Sequence, residues 1–453
     1  MAGYPARARH ATVGHPIDGG ETMTRLTLTL AATALLATPV GAQTRIDLVR
    51  PDAPDLAAQG DLPVGVRTMT FTDPDRIDVI GTAADGPVAT ADRTITVEVW
   101  YPAVEGTEDG ETYTAFLRDG VTEVTLEGRA ARDAAPAEGS YPLVLISHGY
   151  PGNRFLMSHL GENLASKGYV AVSADHPDSI YSDLGAFTST LVNRPVDQAF
   201  LVESMANLDD EIGAITDADR TGIVGYSMGG YGALIFGGAG LSEVAVTRTE
   251  PERFVAAQDL LDRNAAGSET HADLVDPRVR AIVAIGPWGR NRDFWDAAGL
   301  AGLEKPLLLV AGGQDDVSEY GAIREIFEET TATERHLLTY VGANHNAAAP
   351  IPAPDAAWEV SENLERATFD HYADAVWDNV RMNNVLQHFA TAFFDLHLRE
   401  MPDRAEYLDL VENSEDGIWS MDEAETPKED HTYWQGFPNR SAKGLRFETL
   451  PAE

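Results

Sequence analysis

Short continuous apolar runs closed by glycine recur through the middle of the chain. They are YPLVLISHG (Tyr141 to Gly149), TGIVGY (Thr221 to Tyr226), RVRAIVAIG (Arg278 to Gly286), KPLLLVAGG (Lys305 to Gly313) and RHLLTYVG (Arg335 to Gly342). Runs of this kind are the form taken by strands buried on both faces of a parallel sheet. Between the first two, helical spacing covers Phe155 to Lys167, ended by Gly168, and again about Val196 to Ile215, while YVAVSAD (Tyr169 to Asp175) closes a βαβ unit. Ahead of this core, VRTMTFTD (Val66 to Asp73) and the alternating ITVEVWYP (Ile95 to Pro102) read as strands. Glu105 to Gly139 has no period beyond a short strand near Val121 to Leu126 and reads as loop. Apolar residues at helical spacing return from Asp374 to Leu398. The pattern predicts an α/β fold, a mostly parallel sheet flanked by helices.

Three segments stand outside that pattern. Leu241 to Pro277 is a polar, helix-compatible insertion, either a cap over a site (241–277) or surface decoration. Arg399 to Glu453 carries aromatics (Tyr433, Trp434, Phe437) and reads as a C-terminal strand or hairpin rather than a further domain. At the other end, residues 1–22 have no apolar period and read as a non-native leader. Met23, Arg25, the apolar stretch Leu26 to Val40 and the small-residue ending Val40-Gly41-Ala42 resemble a secretory signal peptide over 23–42. The expectation is therefore one domain over 43–453, exported to the periplasm or medium, with no stable membrane insertion once the signal is cleaved.

Composition narrows the chemistry. A hydrophobic fraction of 43% belongs to a globular chain. The absence of cysteine excludes thiolate chemistry and disulfides. The net charge of −39 is spread along the chain, a surface that repels nucleic acid and anionic membranes.

The apolar run Thr221 to Val224 leads directly into Gly225-Tyr226-Ser227-Met228-Gly229, a G-x-S-x-G corner followed by the small-residue helix start MGGYGALIFGGAG. A serine hydroxyl is a weak nucleophile at its free pKa, so it needs a sharp exposed turn where a histidine can take its proton. Downstream, an acid should follow a strand and a histidine the next one. Asp315 and Asp316 follow KPLLLVAGG, with Asp315 preferred on spacing from Gly312, and His345 in GANHN follows RHLLTYVG. His148, in SHGYPG, reads as a residue that holds its loop, and His271 and His336 as exposed bystanders. The N–H groups of Met228 and Tyr150 are the candidate oxyanion donors. Tyr226 and Trp288 are candidate substrate contacts. Such a constellation transfers an acyl group with no cofactor and no metal.

Taken together, Val66 to Pro102, SHGYPGNRFLMSHLGENLASKGYVAVSADHPDS, GYSMGGYGA, AGGQDDVS and GANHN resemble exported α/β-hydrolases of the predicted dienelactone hydrolase and plasma-type platelet-activating-factor acetylhydrolase group. The resemblance spans Val66 to Leu398. It implies an α/β-hydrolase fold and serine-dependent ester hydrolysis, with a triad of Ser227, Asp315 and His345 and a hole formed by Tyr150 and Met228. Dienelactone hydrolases use a cysteine nucleophile, which this chain lacks. Small-molecule, lipid or polyester esters are the implied substrates; a peptidase of the prolyl-oligopeptidase type and a binding protein on a hydrolase fold are the competing readings.

Overall fold

In the computed structural model, residues 44–110 and 112–453 are described. The expected leader and signal segments, 1–42, lie outside the described residues. The apolar runs become strands whose alternate side chains divide between two faces. Leu143 and Leu145 enter one buried cluster with Ile223 and Ile282, while Val144 and Ile146 enter the other with Val224 and Val283. A strand apolar on both faces needs helices on both sides, and the chain supplies them.

The strands are β1 (Val64–Ile77), β2 (Thr90–Pro102), β3 (Ala131–Arg132), β4 (Tyr141–Ser147), β5 (Val170–Asp175), β6 (Thr216–Tyr226), β7 (Val279–Ile285), β8 (Leu307–Gly312), β9 (Arg335–Tyr340) and β10 (Leu445–Leu450). They form one 10-stranded sheet in the order β10-β9-β8-β7-β6-β4-β5-β2-β1-β3. From β5 through β4 and β6 to β9 every pairing is parallel. β2 pairs antiparallel with both β1 and β5, and β10 antiparallel with β9. The C-terminal region is therefore an edge strand of the main sheet. Its aromatic residues Trp434 and Phe437 are buried against Phe389 rather than near any opening.

Helices α1 (Ser158–Ser166) and α5 (Asn379–Leu398) cover one face; α2 (Phe187–Ala206), α3 (Met228–Phe236) and α4 (Tyr320–Glu329) cover the other. Among the described residues, no helix is long and apolar enough to cross a membrane.

Three expectations are corrected. The second helix was expected to begin at Val196, after Pro195, and to run to Ile215; it runs from Phe187 to Ala206 with Pro195 inside it. Proline removes the N–H that would bond the carbonyl of Leu191, but the Tyr231 hydroxyl donates to that carbonyl at 3.1 Å. Within Glu105 to Gly139, read as loop apart from a short strand near Val121 to Leu126, that strand is present as Glu123–Glu127, but it forms a hairpin with an unexpected strand, Thr112–Phe116, and β3 follows. The hairpin's tip is pinned by Asp119, whose carboxylate accepts from the N–H groups of Val121 and Thr122. Finally, His271 and His336 are buried. His271 Nε2 donates to the carbonyl of Ile235, and His336 stacks on Phe447.

Candidate active site

β4 has β5 on one side and β6 on the other, so the chain leaves the centre of the sheet in opposite directions and opens a crevice at the strands' C-terminal ends. The β6–α3 corner projects into it. Ser227 has φ 53° and ψ −111°, a region that costs a non-glycine residue about 1–3 kcal/mol and persists only where packing enforces it. The enforcement is visible in the glycines around it. A Cβ on Gly225 would lie 2.3 Å from the carbonyl oxygen of Gly229, and one on Gly229 would lie 1.9 Å from that of Ser147. The Ser227 N–H donates to Ile285 O at 2.8 Å, tying the corner to β7.

Asp315 follows β8 and is almost wholly buried. Its Oδ1 accepts from the N–H groups of Val317 (2.9 Å) and Ser318 (2.8 Å), while Oδ2 faces His345 Nδ1 at 2.8 Å. The carboxylate is thus oriented from both ends. Gly286 gives this pair room, since a Cβ there would lie 3.2 Å from both Asp315 Oδ2 and His345 Nδ1, and its φ is +50°. Asp316, the other acid considered, is exposed and faces the cavity instead. Ser227 and His345 line one cavity of about 640 Å³.

The loop after β4 also lines it, through Tyr150. His148 Nδ1 donates to the carbonyl of Gly149 at 2.7 Å and its Nε2 accepts from the N–H of His176 at 3.2 Å, which sets its tautomer. Burial holds this imidazole well below the usual histidine range, so it is neutral. Because a trans peptide is planar, a Gly149 carbonyl turned toward His148 sends the Tyr150 N–H the opposite way. Arg194, fully buried, donates to the His148 carbonyl and to Ser179 Oγ. Met228 is the first residue of α3, and its N–H has no acceptor within the helix.

Of the two expected substrate contacts, Tyr226 lines the cavity, its ring 5.2 Å from that of His345 and its hydroxyl donating to Asn346 Oδ1 at 3.0 Å. Trp288 does not. Its side chain packs among Phe187, Phe254 and Phe294, although its N–H donates to Ser227 O at 3.3 Å. No residue of 241–277 lines the cavity either. That insertion packs behind it, burying Leu260 and Leu261 against the face carrying α2 and α3.

What sequence reasoning missed is the far wall, which comes from the segment between β9 and α5 (Asn346, Arg366 to Ala375) and from Arg118 at the hairpin tip. It also missed a second array beneath the loop after β4. Ser147 Oγ lies 2.9 Å from His176 Nε2, and His176 Nδ1 lies 3.2 Å from Asp197 Oδ2. Asp197 accepts from Arg93 and Arg76 as well. The members of this array end β4, follow β5 and lie within the polar-rich α2, so nothing in their spacing joined them.

The family model for platelet-activating factor acetylhydrolase, isoform II, matches residues 81–209. That stretch includes the loop after β4 and the buried array but ends before Ser227. Cutinase est1 and cutinase est2 of Thermobifida alba are 23% and 29% identical over 216 and 215 residues, which is 46% of this chain and 54% of each cutinase. Cutinase 2 of Thermobifida cellulosilytica is 33% identical over 101 residues, 21% of this chain and 34% of the relative. The chain thus spans about half the length, or less, of the curated relatives it matches. A ferulic acid esterase from Streptomyces cinnamoneus superposes with a TM-score of 0.57 at 20% identity, covering 87% of this chain and 99% of that one, a likeness of fold. With a mostly parallel sheet, a G-x-S-x-G corner at its crevice and these relatives, the chain has an α/β-hydrolase fold, is similar to esterases and cutinases, and matches the platelet-activating factor acetylhydrolase isoform II family over residues 81–209.

Proposed function

We propose that this protein is an exported serine-dependent carboxylic ester hydrolase working through an acyl-enzyme. One observation carries the reading: Ser227, held at a positive φ by the packing around it, shares a cavity with His345, whose other face is fixed by Asp315 at 2.8 Å. In this reading Ser227 Oγ attacks the ester carbonyl carbon while His345 Nε2 takes the hydroxyl proton. The N–H groups of Tyr150 and Met228 stabilise the oxyanion, a contribution of about 3–4 kcal/mol per donor in comparable sites. The tetrahedral intermediate collapses and the alcohol leaves with the proton from His345. Water, deprotonated by the same imidazole, then releases the acid. Asp315 keeps Nδ1–H directed at itself. Export rests on the apolar segment Leu26 to Val40 and its Val-Gly-Ala ending.

A fluorophosphonate probe tests the chemistry. Wild-type protein is expected to be labelled once, at Ser227, and Ser227→Ala not at all; an unlabelled wild type would favour a binding protein on this fold. A series of p-nitrophenyl esters of increasing acyl length reports the size of acyl group accepted. N-terminal sequencing of exported material is expected to begin near Gln43.

A further inference from the structure

The protein has a net charge of −39, and many of its arginines pair with carboxylates. Arg118 is different. It lines the same cavity as Ser227 and His345, it is half-buried, and among the described residues its guanidinium makes no ion pair and no hydrogen bond. The other cavity arginine, Arg366, is already held by both oxygens of Asp370 at 2.8 and 2.7 Å.

Arg118 is also placed deliberately. It sits at the tip of the Thr112–Phe116/Glu123–Glu127 hairpin, next to Asp119, and that tip is tied down on several sides. Asp119 Oδ2 accepts from Ser361 Oγ at 2.8 Å, Asn363 Nδ2 donates to the Asp119 carbonyl at 3.1 Å, and Asn153 Nδ2 donates to the Phe116 carbonyl at 3.1 Å. A side chain carried on a rigid tip loses less freedom when it engages a ligand. A histidine of the same cavity wall adds no charge. His371, whose Nε2 accepts from the Tyr181 hydroxyl at 2.7 Å, is pushed down to about 3 by burial, with Arg118 contributing, and stays neutral.

A partly desolvated guanidinium with five donors and no partner, facing a reaction cavity, is suited to a planar anion. The acids that also line the cavity, Asp316, Asp370 and Asp374, oppose a second negative charge. We propose that Arg118 makes this site selective for esters that carry one free carboxylate, the half-esters of dicarboxylic acids, by pairing with that carboxylate while the ester carbonyl lies at Ser227. The inference rests on the esterase reading above and names its substrate class.

The test compares ethyl half-esters with diethyl esters of the dicarboxylic acids from succinic to suberic, following acid release. Wild-type kcat/KM is expected to favour the half-ester by about 10-fold or more at one chain length. Arg118→Met is expected to reduce that selectivity ratio at least 10-fold, mainly through KM, and Arg118→Lys to restore part of it. A wild type that prefers the diesters at every length, or a ratio unmoved in Arg118→Met, overturns the proposal while leaving the esterase reading intact. If neither ester class is hydrolysed, fluorophosphonate labelling and the p-nitrophenyl ester series decide the esterase reading. Calorimetric titration of Ser227→Ala with ethyl hydrogen adipate then decides the Arg118 site separately: binding lost in Ser227→Ala/Arg118→Met supports it, and no binding to Ser227→Ala overturns it.

Discussion

Two serine–histidine–aspartate arrays lie within one domain. Ser147, His176 and Asp197 form a hydrogen-bonded chain, as do His345 and Asp315 beside Ser227. The residue types are the same and the surroundings are opposite. Ser147 ends a strand and is fully buried; Ser227 stands on a positive-φ corner beside a cavity. Burial and the nearby Arg194 push His176 down to about 4, and its Asp197 neighbour is bound to two arginines. A base that weak and that inaccessible can orient a loop but cannot take a proton from a substrate-bound serine near neutral pH. On the proposed reading, access and backbone strain, rather than hydrogen bonding among the three residue types, set the cavity array apart from the buried one.

The sharpest break of that comparison is between Ser227→Ala or Asp315→Asn and their buried counterparts. Either change at the cavity is expected to lower kcat/KM for a p-nitrophenyl ester by about 10^4-fold, because each removes a partner needed only in the transition state. At the buried array the loss is in stability. Asp197→Ala takes from Arg93 and Arg76 the buried carboxylate they share, leaving them only the carboxylates of Asp178 and Asp73, and should cost about 3 kcal/mol, read from urea unfolding.

Acid sharpens the difference further. His159, His176 and His388 are held at about 4, 4 and 3 by burial, so the unfolded chain takes protons first as pH falls below the free histidine value. Stability should therefore fall from about pH 6.5 toward pH 4, by about 1 kcal/mol per pH unit for each such histidine. Urea midpoints measured in high salt, where repulsion among surface carboxylates is screened, check this; a midpoint flat across that window would refute it. The smallest effect is expected from Ser147→Ala, which removes one hydrogen bond to His176, about 1 kcal/mol, and leaves ester turnover within about threefold.

Much of the central sheet was legible because strands covered on both faces must be continuously apolar. The runs at Tyr141, Thr221, Lys305 and Arg335 all became strands within a few residues of their expected bounds. The helix through Pro195 was not legible, since only the tertiary partner Tyr231 makes that proline tolerable. Of the hairpin bearing Arg118, the second strand was legible near Val121 to Leu126, but the first was hidden for a related reason. The hairpin is a small satellite sheet with one face on the core, and Thr112–Phe116 alternates too briefly to stand out from loop.

Local chemistry carried the serine corner, because the strand–turn–helix pattern around Ser227 is written in consecutive residues; Gly225 is demanded by Gly229 four residues on, whereas Gly229 is demanded by the distant Ser147 carbonyl. It carried the order of acid and histidine too, because each follows its own strand. What lines the cavity was decided only in three dimensions. Trp288 turned into an aromatic cluster, the 241–277 insertion packed behind the site, and Arg118 and the segment before α5 supplied the wall. Strand and turn formation depend on near neighbours, which a sequence displays directly. The direction of a side chain at a loop, and the charge left without a partner beside it, depend on residues hundreds of positions apart that only the folded chain brings together.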